Sequence, residues 1–146
     1  TLVGSLAHNS FAQELLKSAH GQLKAAASAL LEQRPNPKAM ESARMATEMF
    51  LKMFLAERTG LTGEEARKKI GHHLDKAVDR CLAAHNHPDF AFIKSRVNLF
   101  PPVEERYKGA DKTGRELWEA YRLAQFTGAT IARLLTGNDL RPQMKF

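Results

Sequence analysis

An all-α bundle is the fold class this sequence predicts, and three features predict it. Apolar residues recur at three-to-four spacing through most of the chain, the period of a helix with one face on a core. Two Thr-x-x-Glu capping boxes, Thr62 to Glu65 and Thr113 to Glu116, mark helix starts. No segment of useful length alternates apolar with polar residues as a half-buried strand would. The expectation is one domain over residues 1–137, with four to five helices packed antiparallel, up and down, and a loose tail over 138–146.

Each element has its own signal. A first helix is predicted from Ser10, as N-cap, to about Gln33, since Phe11, Leu15, Ala19, Leu23, Ala26 and Leu30 share a face and Pro35 stops it. Asn36-Pro37 opens a second helix, with Asn as cap and Pro at the first helical position. Its apolar residues, Met40, Ala43, Met45, Ala46, Met49, Phe50, Met53 and Phe54, cover more than one face, so this helix belongs in the centre. Gly60 ends it. A third helix is predicted from Thr62 to about His85, with the stripe Ala66, Ile70, Leu74, Ala77, Val78, Cys81 and Leu82. His87-Pro88-Asp89 breaks the pattern, and Phe90 to Leu99 reads as a short fourth helix before Phe100-Pro101-Pro102. Arg106 to Gly109 reads as a loop. The last helix follows Thr113 and runs to about Thr136, with Gly137 as its C-terminal cap.

The balance of charge is basic: +6, with a pI near 9.7. That favours polyanionic partners such as nucleic acid or nucleotides. Cys81 is the single cysteine, so no intrachain disulfide forms. No apolar run reaches the roughly 18–20 residues a membrane span needs, and cytoplasm is the default expectation.

Chemistry concentrates in Arg67-Lys68-Lys69-Ile70-Gly71-His72-His73-Leu74, which gathers three cations and two imidazoles. On one continuous helix at about 100° per residue, His73 and Arg67 flank the apolar stripe. His72 points nearly opposite, with Lys68 four residues before it as its neighbour. Cations beside an imidazole favour its neutral, proton-accepting form. A neutral His beside Arg and Lys suits phosphodiester chemistry, one group taking a proton while the others hold the anion. The alternative is a solvated basic helix face. Cys81, His85 and His87 are metal-ligating types close in sequence, but the stripe position assigns Cys81 to the core, and neither metal nor cofactor is expected. Trp118 and Tyr121, three apart, can pack on each other or offer a base a stacking face. Phosphate-loop, nucleophile-elbow and His-Glu-x-x-His signatures do not occur.

In order along the chain, Ala43 to Lys52, Lys68-Lys69-Ile70-Gly71-His72-His73-Leu74, Leu99-Phe100-Pro101 with Arg106-Tyr107, and the long closing helix resemble the HEPN (higher eukaryotes and prokaryotes nucleotide-binding) domain family. The second of these is similar to that family's lysine-rich Gly-His-x-Leu segment. The resemblance implies a bundle of four or five helices, usually a homodimer. Many members are metal-independent ribonucleases, some of toxin or defence type, with an Arg, four to six residues, then His. Arg67 with His72, or with His73, has that spacing. In such enzymes two motifs meet across the dimer. The His activates the RNA 2′-hydroxyl and the Arg stabilises the pentavalent phosphate. Other members bind nucleotides or proteins, or partner nucleotidyltransferase-like proteins.

The first expectation is therefore a dimer that binds nucleotide, RNA or a partner protein through Arg67, Lys68, Lys69, Arg106 and His72. The second is a ribonuclease using Arg67 and His72, with His73 as substitute base. The third is a structural or interaction bundle. The absence of a fuller catalytic signature sets that order.

Overall fold

A computed structural model describes residues 7–34, 36–102 and 113–137. Among these the secondary structure is helical throughout: six α-helices pack together, with one short 3₁₀ turn and no strand. The predicted loop and tail, residues 106–109 and 138–146, lie outside the described residues.

Helix α1 spans Ser10–Leu30. Its cap is Asn9, not Ser10, because the Asn9 Oδ1 accepts the amides of Phe11 and Ala12. The helix ends at Leu30, three residues short of the predicted stop, with Leu31 as cap. Helix α2, Lys38–Thr59, returns alongside it. The Glu57 carboxylate near its end accepts the amides of His8 and Asn9, at 2.9 and 3.0 Å, and ties the two together. Pro37 stands just outside α2. The Asn36 side chain still holds the amide two residues on, Lys38, at 3.0 Å. Gly60 terminates α2 with φ 75°.

As its apolar coverage predicts, α2 is the central helix. Leu51, Met53 and Phe54 are fully buried, and Phe54 meets Phe90 edge-on at 5.1 Å. Three of its charged residues, Arg44, Glu48 and Lys52, are buried as well.

The single third helix is corrected to two. Helix α3, Gly63–Lys69, starts from the predicted capping box, and α4 runs over Leu74–Ala84. Between them the chain turns at Ile70–His73. Gly71 takes φ 59°, and the amides of Ile70 and Gly71 both converge on the Ala66 carbonyl. The carbonyls of Gly71 and His72 point at α2 instead of serving a helical ladder: Lys52 Nζ donates to Gly71 O at 2.6 Å, and Arg44 Nη2 donates to His72 O. The apolar stripe survives the break because Ile70 and Leu74 stay in the core on either side.

Helix α5, Pro88–Arg96, is capped by His87, whose Nδ1 accepts the Asp89 amide at 3.0 Å. The 3₁₀ turn Val97–Leu99 follows. Helix α6, Gly114–Thr136, has the predicted capping box, and Gly137, φ 70°, closes it. It docks through buried Leu117, Ala124 and Ile131, and through two hydrogen bonds to the buried Asp89: Thr130 Oγ1 at 3.0 Å and Arg133 Nη2 at 2.9 Å.

Candidate functional site

Arg44, Glu48 and Lys52 follow one another at i, i+4 along α2, so they stack on one face. That face is covered by the Ile70–His73 turn. Each residue is less than a tenth exposed. Burying charge is costly unless every group finds a partner, and here each does. Glu48 Oε1 accepts from Arg44 Nη1 at 3.2 Å and Oε2 from Lys52 Nζ at 3.0 Å. Each cation also donates to one of the two turn carbonyls. The turn is thus built by tertiary hydrogen bonds from α2.

That geometry places His72. Its Nδ1 lies 3.2 Å from both oxygens of Glu48, while its side chain is 68% exposed. The side chain therefore stands at the surface with one ring nitrogen anchored on a buried carboxylate. The expected neighbour of His72 was Lys68. The break in the helix removes that relation, and the Lys68 ammonium sits 2.9 Å from Glu64. An anion, not a cation, faces this imidazole.

His72 and His73 line a groove of about 520 Å³ together with Arg44, Gly71, Asp75, Asn98 and the apolar residues Leu74, Val97, Phe100, Pro101 and Pro102. The α4 start forms one wall and the 3₁₀ turn with its following prolines the other. This is within the size range of small-ligand sites.

Of the sequence-predicted site residues, the structure brings His72 and His73 to this groove. Arg67, Lys68 and Lys69 sit on the last turn of α3 and do not line it. Lys69 pairs with Glu65 at 3.4 Å, and the Thr62 amide and hydroxyl, with Lys69, hold the Glu65 carboxyl below its usual range. Arg67 is exposed and has no ion pair among the described residues. Arg106 lies outside the described residues. Arg44, Glu48 and Lys52 went unnoticed in the sequence. The signal was there: three charges at i, i+4 on a helix whose apolar residues already demand burial on several sides.

Cys81 is core, its Sγ donating to Leu51 O at 3.6 Å, and burial pushes its thiol pKa up. The rings of His85 and His87 meet edge-on at 5.6 Å. Among the described residues no three His, Cys, Asp or Glu side chains group as metal ligands, and no helix is long and apolar enough to cross a membrane. Trp118 and Tyr121 pack edge-on at 6.1 Å. A second groove, about 380 Å³, runs between α5 and α6 beside Phe92, Arg96, Arg122 and Phe126. No family model matches this chain, and neither does any curated protein or solved structure.

Proposed function

We propose that the chain is a HEPN-type dimeric domain that binds RNA or a nucleotide in the groove beside the Ile70–His73 turn. One observation carries this reading. Two buried cations, Arg44 and Lys52, share one buried carboxylate, Glu48, so the buried ladder beneath the turn carries a positive charge in excess. Arg44 lines the groove itself. A fixed positive charge at low exposure attracts a phosphate, whose counterions are released on binding. Asp75 at the rim is exposed and solvated, so it offsets that charge weakly. The order of HEPN-like segments in the sequence supports the same class of ligand. The test is fluorescence anisotropy with a labelled single-stranded RNA over a salt series. Binding that weakens with salt and is reduced by His72→Ala supports the reading. Salt-independent binding, or binding unaffected by His72→Ala, counts against it.

A second reading is a metal-independent ribonuclease, and the contact between Glu48 and His72 favours it. In that reaction the 2′-hydroxyl proton passes to His72 Nε2, the 2′-oxygen bonds to phosphorus, and the bond from phosphorus to the 5′-oxygen breaks. The departing oxygen takes a proton from water or from His73. Incubation with RNA in EDTA decides it: cleavage by the wild type and not by His72→Ala is expected, and intact RNA in both retires the reading.

A further inference from the structure

We propose that the groove between α5 and α6 binds a small carboxylic acid with an aromatic or branched apolar body, its carboxylate held by Arg96 and Arg122. This groove shares no lining residue with the one beside the Ile70–His73 turn. What binds there does not bear on the proposal.

The apolar half comes from two rings. Phe92 on α5 and Phe126 on α6 meet edge-on at 5.1 Å, with Leu99 and Leu123 beside them in the lining. Phe92 is 43% exposed and so belongs to the few large hydrophobic side chains left open to water among the described residues. An apolar body laid against these rings removes that surface from water, and this burial favours binding.

The polar half comes from cations whose acidic neighbours are engaged elsewhere. Glu119, the acid that lines the groove, pairs with Arg115 at 3.3 Å. On the flanking helices, Asp79 pairs with Lys94, and Asp89 accepts from Thr130 and Arg133. Arg96 and Arg122 have no ion pair among the described residues, and both are exposed. The Arg96 guanidinium sits over the Phe92 ring, with Cζ 5.2 Å from its centroid. A guanidinium resting on a ring is held in place there, while the N–H donors in its plane stay available to an anion.

Size and chemistry choose the occupant. The groove measures about 380 Å³, within the range of small-ligand sites. A partner helix would read apolar anchors at i, i+3, i+4 and i+7 along a wall. Helix α5 has nine residues and exposes one large apolar side chain, Phe92. A phosphate brings three oxygens, and the lining offers neither lysine nor hydroxyl to satisfy the third. The two oxygens of a carboxylate match an arginine fork.

The experiment titrates 3-phenylpropanoate into nitrogen-15-labelled protein and follows the backbone amides by NMR. Saturable shifts are expected at Phe92, Leu123 and Phe126. No saturable shift there, or shifts confined to Gly71 and His72, overturns the proposal. The neutral 3-phenylpropanamide is expected to bind about tenfold more weakly, on the scale of one charge-assisted hydrogen bond. Acetate, which lacks the apolar body, should also lose at least that factor. Equal affinity for acid and amide overturns the part given to the arginines, and tighter binding of phenyl phosphate overturns the choice of carboxylate. Arg96→Gln and Arg122→Gln are each expected to weaken 3-phenylpropanoate by about tenfold and to leave the amide unchanged. Both side chains are exposed, so the variants keep the fold, and their own spectra verify that. Unaltered affinity for the acid in both variants overturns the proposal.

Discussion

The ring of Phe50 on α2 fills the space where a side chain on Gly128 of α6 would begin. A Cβ at Gly128 would lie 2.7 Å from Phe50 Cζ and 2.8 Å from Cε2. The two helices approach here because one of them has no side chain, and Phe50 is itself buried against α2's neighbours. Gly128→Ala is therefore expected to destabilise the fold by about 1–3 kcal/mol, although alanine is the better helix former. Thermal unfolding of Gly128→Ala, Phe50→Leu and the pair checks it. The double variant should recover part of the loss, since the clash belongs to that pair.

Gly71 is constrained for a different reason. Space is available there, with Arg67 O at 3.7 Å from a built Cβ, but the backbone is left-handed at φ 59°. Gly71→Ala is expected to cost roughly 1–2 kcal/mol of strain and to loosen the turn that aims His72. Stability and RNA binding should fall together. Gly21, in open space within α1, provides the contrast: Gly21→Ala should stabilise by roughly 0.5–1 kcal/mol.

Lys52→Met tests the buried ladder. The variant leaves Gly71 O without its donor and Glu48 with one cation fewer. A loss of about 3 kcal/mol is expected in denaturant unfolding, the scale of a broken buried pair. A change below about 1 kcal/mol would place this lysine among ordinary surface ion pairs.

Arg67→Ala separates the surface from the groove. Arg67 is exposed and unpaired among the described residues, so stability should be unchanged. If its guanidinium meets a phosphate, the slope of log affinity against log salt for single-stranded RNA falls by about 0.7. A greater loss of affinity in Arg67→Ala than in His72→Ala would move the site off the groove and onto α3.

Cys81 links pH to stability. Burial raises the thiol pKa in the folded chain above its value in the unfolded one. The folded state keeps the thiol neutral, so its contribution is fully present below the unfolded pKa, about 8.5, and is lost as pH rises beyond it. Between pH 8 and 10 the wild type should lose stability faster than Cys81→Ala, measured by urea unfolding at each pH. In the native state Cys81 should also resist maleimide and react as the protein unfolds.

The third helix shows where reading the chain alone reaches its limit. Its apolar stripe continues from Ala66 through Cys81 without a fault in spacing, because Ile70 and Leu74 remain core residues on both sides of the turn. Gly71 was the local sign of a break. What made it one is two carbonyls captured by Lys52 and Arg44 from another helix. No periodicity records such long-range hydrogen bonds. The misplaced first cap is smaller: Asn9 and Ser10 are both good caps, and only the bonded amides choose between them.

By itself the sequence determined the helical class, the central place of α2, the capping boxes at Thr62 and Thr113, and the stops at Gly60 and Gly137. These follow from local chemistry: side-chain period, backbone freedom, and oxygens within reach of nearby amides. The tertiary structure alone decided the partner of His72 and the burial of the charges beneath the groove. Those depend on which residues, far apart in the chain, share a low-exposure space. A buried charge takes whatever partner the packing offers there.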